Sequence, residues 1–270
     1  LRPSPVSGEL YLTDLVALAR ADGRLVTALA VEDEAELAGI NDRVQLATAE
    51  ADLRWRILEG HLLAGVTMED PTTVFIDSTV VLAEDVVLEP NVVLRGRTTV
   101  GRDTRIGAGS RLVDAVVGER CRIVASVLES CTVEDDVGIG PFTHLRHGAS
   151  IGRGVELGNF AEVKASRLGP GTKQHHFSYV GDAEIGAGTN IGAGVVTVNF
   201  DGRRKNRTVI GEGAFIGSDS MLIAPVTVGD GAATGAGSVV THDVPAGKLA
   251  VGVPARIRTR RPPPDDEAAG

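Results

Sequence analysis

An aliphatic residue followed directly by glycine recurs through residues 100–229, with small and polar residues filling the spaces between. Twelve such pairs keep one pattern, beginning at Val100, Ile106, Val117, Ile139, Ile151, Leu157, Leu168, Ile185, Ile191, Ile210, Ile216 and Val228. The intervals between them are 6, 11, 22, 12, 6, 11, 17, 6, 19, 6 and 12, most of them whole multiples of six or one short of one. Without glycine, the register extends backwards through Leu94, Leu88 and Leu82 to Ile76 and forwards through Leu222 and Thr234 to Val240. One rule thus governs about 170 residues.

A period of six with one inward aliphatic predicts a parallel β-helix, in which each hexad supplies a short flat strand and a corner. Glycine after the aliphatic is expected to permit the tight turn, and small residues such as Ala108, Ser110, Ala193 and Ser238 to fit where side chains crowd. Three hexads close one triangular coil, so about nine coils stacked at about 4.8 Å make a prism roughly 45 Å long. A disordered glycine-rich tract would not place an aliphatic at every sixth position. The period does not fix the hand of the coil. Hexapeptide repeats, however, resemble the left-handed β-helix of acyltransferases.

The two ends follow other rules. Residues 9–64 show helical spacing: Leu12, Leu15, Val16 and Ala19 form one face, with Thr13 or Asp14 as cap and Gly23 as stop. Leu37 and a longer run over residues 41–63 follow, too few residues for an independent α/β domain with its own sheet. The C-terminal RRPPPDDEAAG is charged and proline-rich, and is expected to be disordered. The fold expected is therefore mainly β, a left-handed parallel β-helix over residues 71–258, preceded by a short α-helical segment within residues 1–70 and followed by a tail, 259–270.

Composition narrows the function. Among 270 residues stand 34 glycines against one Trp, two Tyr and six Phe, so the core is a narrow aliphatic one. A net charge of −9 opposes binding to nucleic acid or anionic membranes, and the scarcity of rings argues against a stacking platform for single strands. No apolar run is long enough for a transmembrane helix, and no signal pattern opens the sequence. Two cysteines, Cys121 and Cys131, fit a reducing compartment and a cytoplasmic location; Cys121 sits at a small-residue place in its hexad and reads as structural. Because the first residue is Leu1, the sequence is expected to be cut from a longer chain.

Chemistry gathers where the repeat is interrupted. Between residues 142 and 215 lie six of the nine aromatics, three of the four lysines and four of the six histidines. The stretch NFDGRRKNRT puts Arg203 where the register wants an aliphatic, which predicts a protruding basic loop. A local cationic surface on an acidic chain suits a small anion, most simply a phosphate. Four histidines also raise a zinc reading, since left-handed β-helix carbonic anhydrases use three. Here the pairs are 144/147 and 175/176, without a pair four apart or an acidic partner at zinc-site spacing, and no metal is expected.

Three strings carry a resemblance: PFTHLRHGASIGRGVELGNFAEVKAS (residues 141–166), TKQHHFSYVGDAEIGAGTNIGAG (172–194) and VNFDGRRKNRTVIG (198–211). They resemble the bifunctional N-acetylglucosamine-1-phosphate uridyltransferase/glucosamine-1-phosphate acetyltransferase family. GELYLTDLVALA is similar to the end of that family's nucleotidyltransferase domain, and the run from residue 41 to its linker helix. The resemblance implies a homotrimer with sites between subunits, in which acetyl-CoA, as co-substrate, acetylates glucosamine 1-phosphate on the way to UDP-N-acetylglucosamine and cell-wall precursors. It further implies His176 as catalytic base, Arg146, Lys164, Tyr179, Asn190 and Lys205 as sugar-phosphate contacts, and Ala193, Asn199, Phe200, Ser218 and Ala236 as acetyl-CoA contacts. Either a backbone N–H or the Asn199 amide would stabilise the oxyanion.

The sequence departs from that family at three places: His147 stands for Pro, Phe200 for Tyr, and Val253 for an Arg that meets coenzyme A, a duty that would pass to Arg256 in GVPAR. These departures keep open another amino sugar or a nucleotide-sugar as acceptor, and a silent trimeric scaffold is the alternative outside enzymes. The glycine-rich nucleotide loop of the uridyltransferase half is missing, and Pro5 stands near the place of its metal-binding Asn. Uridyl transfer is therefore not expected from this chain alone, and Mg2+ would enter only with such a domain in the parent protein.

Overall fold

A computed structural model describes residues 1–260. The predicted tail, apart from Thr259 and Arg260, lies outside the described residues. The chain divides into two units, Leu1–Asp52 and the remainder from Leu53.

In the first unit, helix α1 (Asp14–Ala21) begins after Thr13, whose side chain makes no capping hydrogen bond. Gly23 follows its end with φ +70°, the left-handed conformation that closes a helix. None of the helix is buried, so the predicted apolar face of Leu12, Leu15 and Val16 is exposed. A single 3₁₀ turn, Glu34–Leu37, is capped by Asp33, which accepts from the Ala35 N–H at 2.9 Å. Helix α2 (Arg43–Leu63) opens on Asp42, which accepts from the Gln45 N–H at 2.8 Å, while the Gln45 side chain accepts from the Asn41 N–H at 2.6 Å. Such reciprocal capping satisfies donors that the first turn otherwise leaves free. The second half of α2 belongs to the second unit, where Leu58 is buried and Ile57 and Leu62 pack on the core. There the Arg54 guanidinium also lies 4.6 Å from the Phe75 ring centre.

From Thr67 the chain winds through strands of two to four residues, successive strands joining three sheets in turn. The first sheet has twelve strands, from Thr67–Met68 to Arg256–Thr259; the second has ten, from Phe75–Ile76 to Val239–Val240; the third has nine, from Val81–Leu82 to Val226–Val228. Within the three sheets all strand pairs are parallel except the last, where Arg256–Thr259 folds back antiparallel on Lys248–Val251. This is the predicted parallel β-helix, with about ten turns rather than nine. The excess comes from a strand at each end: Thr67–Met68, which a 3₁₀ turn at Pro71–Thr73 separates from Ile76 and so hides from a strict count of six, and Lys248–Val251, which lies beyond the last hexad at Val240.

Every inward residue read from the register is buried, from Ile76 to Val240. Along each strand inward residues alternate with outward ones, because successive side chains of a strand point to opposite faces. Three inward places are polar: Gln174, Thr197 and Thr234, all at most 2% exposed. Except at Gly140, whose φ of +105° is the conformation that glycine permits, glycine after the inward aliphatic serves a purpose other than the one expected. Gly158 and Gly192 do not have left-handed φ; a Cβ on Gly158 would lie 1.9 Å from the His175 carbonyl oxygen, and one on Gly192 would lie 2.6 Å from the Ser218 nitrogen. Close stacking of the next coil, not turn formation, excludes a side chain there. Cys121 occupies the small-residue rail as predicted: its N–H donates to Thr104 Oγ1 at 3.0 Å and its thiol to the Glu134 carbonyl at 3.1 Å.

Candidate functional site

The edge between the first and second sheets carries His176. It lies exposed in the corner that joins Lys173–Gln174 to Ser178–Gly181. In the next three coils the same place, two residues after the inward one, is taken by Ala193, Ser218 and Ala236. The coils are tied there by the Asp219 N–H on the Ala193 carbonyl (2.7 Å) and the Gly237 N–H on the Ser218 carbonyl (2.8 Å). Four of the predicted residues thus form one rail along the edge, rising about 4.8 Å per coil. Above His176 its side chains are no larger than serine, which leaves a smooth, open track. Phe177 beside it and Phe142 and Phe160 in the two coils below are exposed, the last two stacked with ring centres 5.4 Å apart.

Arg146, Lys164 and Tyr179 come together on the outer face of the second sheet. Arg146 follows the strand His144–Leu145, and Lys164 ends its neighbour Ala161–Lys164. Both line a pocket of about 360 Å³ with Val113, Glu129, Ser130 and His147. Arg146 Nη1 donates to Glu162 Oε1 at 2.8 Å, and this contact holds the guanidinium pKa above its ordinary value. Tyr179 pairs beside Glu162. Its hydroxyl bends over Gly181, where a Cβ would stand 2.3 Å away, and accepts from Asn199 Nδ2 at 3.3 Å. The same Nδ2 donates to Asp182 Oδ2. Asn199 is 5% exposed, so its amide supports Tyr179 from beneath.

The interruption at Arg203 is the protruding loop expected. Phe200 and Lys205 pair across it, and Lys205 Nζ lies 5.1 Å from the Phe200 ring centre. Asp201 organises its tip, accepting from the N–H groups of Arg203 (2.8 Å) and Arg204 (2.9 Å) and from Asn206 Nδ2 (2.9 Å). Those donors, the Arg204 N–H first, pull the carboxyl pKa down to about 2. Arg207 pairs with Glu184 at 2.8 Å.

Asn190 stands apart from that group. It lies on the first sheet, between Lys173 and Phe215. His175 is on that side too, its Nε2 2.7 Å from Glu156 Oε2, beside a pocket of about 290 Å³. His144 instead sits 3.3 Å from Glu129 on the second sheet. The histidine pairs are thus spread over different faces, and among the described residues no three His, Cys, Asp or Glu side chains are grouped to hold a metal. At the C-terminal end Val253 is exposed, and Arg256 lines a pocket of about 300 Å³ with Val240, Thr241, His242, Ala250 and Ile257.

Sequence reasoning missed the partners. Glu162, which holds Arg146, and the Gly181–Asp182 step, which seats Tyr179 and Asn199, leave no mark on the hexad. Gln174 did leave one: an amide at an inward place breaks the aliphatic rule more sharply than the hydroxyls of Thr197 and Thr234 do.

The bacterial transferase hexapeptide family (six repeats) matches residues 130–165 and 207–242. The chain is 49% identical over 251 residues to a protein named bifunctional protein GlmU from Mycolicibacterium vanbaalenii, a match covering 93% of this chain and 51% of that protein. It is 47% identical over 251 residues to the protein of the same name from Heliobacterium modesticaldum, covering 93% and 55%. The chain therefore spans about half the length of the curated relatives it matches. Among solved structures it is similar to a Francisella novicida UDP-N-acetylglucosamine acyltransferase, with 17% identity, a TM-score of 0.43, and coverage of 71% of this chain and 68% of that one. Among the described residues no helix is long and apolar enough to cross a membrane.

Proposed function

The chain belongs to the family of the bifunctional GlmU proteins and carries their hexapeptide-repeat part, and from that premise we propose that it transfers the acetyl group of acetyl-CoA to the 2-amino group of glucosamine 1-phosphate. The observation that carries this reading is the continuous rail of His176, Ala193, Ser218 and Ala236 beside a face holding Arg146, Lys164 and Tyr179.

Acetyl-CoA lies along the edge, its extended arm passing Ala236 and Ser218 and its thioester reaching Ala193. The loop of Phe200 and Lys205 leaves the other edge of the second sheet and in the trimer borders the track of a neighbouring subunit, and Arg256 takes the coenzyme phosphate that Val253 cannot. Arg146 and Lys164 bind the sugar phosphate. A guanidinium has five N–H donors, so the one given to Glu162 leaves a fork free for a second anion. Fixing the substrate by its phosphate orients the amine without touching the reacting atoms.

A protonated amine cannot attack a thioester. Histidine is the side chain whose ordinary pKa lies nearest neutrality, and His176 accepts the proton as nitrogen adds to the acetyl carbonyl. The tetrahedral intermediate then expels the thiol: the C–N bond has formed, the C–S bond breaks, and His176 returns the proton to sulfur. Since Asn199 Nδ2 already donates to Tyr179 and Asp182, a backbone N–H of the neighbouring corner, such as that of Ala193, is the oxyanion donor this reading favours. No covalent acyl-enzyme and no metal is used.

In this reading the protein is a cytoplasmic homotrimer with sites between subunits, which accounts for Asn190 standing on a different sheet from Arg146, Lys164 and Tyr179. Residues 1–70 are the end of a nucleotidyltransferase domain with its linker, and the parent protein performs both steps toward UDP-N-acetylglucosamine. The test is CoA release from acetyl-CoA with glucosamine 1-phosphate and a panel of other amino sugars and amino nucleotide-sugars. Fastest release with glucosamine 1-phosphate is expected. Release only with another acceptor would reassign the substrate, and release with none would leave a scaffold.

A further inference from the structure

The turn that presents His176 is built differently from its neighbours. One coil on, the N–H of Asp219 bonds the carbonyl of Ala193, and the next coil repeats this with Gly237 and Ser218. At His176 the ladder slips by one residue: the Gly194 N–H bonds the Phe177 carbonyl at 2.7 Å. Strand pairing toward the next coil stops at Lys173↔Asn190, leaving Gln174 unpaired with Ile191. The His176 carbonyl is then taken by Ser178 Oγ, which donates to it at 3.0 Å. Ser178 Oγ in turn accepts from Gln174 Nε2 at 2.8 Å.

Gln174 is 0% exposed and occupies a place that its neighbours in the same sheet fill with Leu157 and Ile191. Its Oε1 is buried with no hydrogen-bond partner among the described residues. An amide half satisfied in an aliphatic core destabilises the fold relative to leucine. Packing therefore does not explain it, whereas the chain from Gln174 through Ser178 to the His176 carbonyl does: it replaces the ladder bond that the slipped turn gives up. We infer that Gln174 is a positioning residue, fixing the His176 backbone through Ser178 and so the direction in which the imidazole is presented. The inference rests on His176 being the base.

The test compares Gln174→Leu, Ser178→Ala, the double variant and Gln174→Leu in a His176→Ala background, in the full chain. Expected are a Tm for Gln174→Leu equal to or above wild type, a kcat reduced about tenfold, and KM for each substrate within about twofold. The double variant should be no worse than the poorer single one, and Gln174→Leu should add nothing once His176 is alanine. With isotope-labelled histidine, the His176 ring signal should shift or broaden in Gln174→Leu while that of His144 stays. Wild-type kcat with an unmoved His176 signal would overturn the inference, as would an equal loss in the His176→Ala background. If His176→Ala itself turned over normally, the base assignment would fall, and the His176 ring signal alone would decide whether Gln174 positions it.

Discussion

Arg146 Nη1 lies 2.8 Å from Glu162 Oε1 on the outer face of the second sheet, so the guanidinium proposed to bind phosphate is already held by a carboxylate of its own chain. Both groups are well exposed, and such a pair contributes little to stability. Its effect is on aim. Glu162 holds Arg146 toward the pocket it shares with Lys164, at the cost of some competition with the incoming anion.

Arg146→Lys removes the planar fork while keeping the charge, and should raise KM for glucosamine 1-phosphate about tenfold with kcat changed less than threefold. Glu162→Gln keeps the shape and loses the charge, and should change KM less than Arg146→Lys. Steady-state kinetics checks both. A Glu162→Gln effect larger than that of Arg146→Lys would mean that the carboxylate itself touches substrate.

Tyr179 is seated by an absence. A Cβ on residue 181 would stand 2.3 Å from the tyrosine oxygen and 2.7 Å from Asn199 Nδ2. Gly181→Ala should therefore push the ring off its support, raising KM for the sugar phosphate more than Tyr179→Phe does, with Tm lowered by only a few degrees because side chains, not backbone, must give way. Equal wild-type kinetics in both variants would remove Tyr179 from the site.

Much of this was readable in the hexad, and the limits of that reading are physical. A period of six specifies which residues face inward, because an aliphatic core enforces it along most of the coil; every place read as inward from Ile76 to Val240 is buried, and the polar exceptions are Gln174, Thr197 and Thr234. The first strand at Thr67 was hidden by the 3₁₀ insertion, and glycine was given a turn-forming duty when, at all of these positions but Gly140, stacking against the next coil was the constraint. Site residues were legible where they interrupt the rule, as in the loop at Asp201, or through family resemblance, as at His176. Their partners were not. Glu162, Asp182 and Ser178 sit at outward or small-residue places where the repeat tolerates many side chains, so only three dimensions reveal what each one holds.

Asp201 sets the basic loop. Its carboxyl titrates near 2, below the ordinary carboxylate range, so its hold on the loop is complete above about pH 4 and is lost only as pH falls toward 2. Across the neutral range the loop should not respond to pH. Asp201→Ala frees the Arg203 and Arg204 N–H groups and should raise KM several-fold with Tm unchanged. A loop resonance of the wild-type protein that titrates between pH 5 and 8 would contradict this account.

The two thiols are expected to be silent. Burial pushes the Cys131 pKa up to about 12 and raises that of Cys121 as well, so neither is a thiolate near pH 8. Native protein should not react with a thiol reagent at that pH over the time of an assay, whereas unfolded protein should react twice per chain. Rapid labelling of the native chain would show that the coils open locally.

The most direct test of the central claim is turnover by wild type and His176→Ala, measured side by side with acetyl-CoA and glucosamine 1-phosphate, the product identified by mass and substrate binding measured by calorimetry. The account predicts N-acetylglucosamine 1-phosphate from wild type, and in His176→Ala unchanged binding with turnover reduced at least about a hundredfold. Near-normal turnover in His176→Ala, or no acetylated sugar phosphate from wild type, would contradict it.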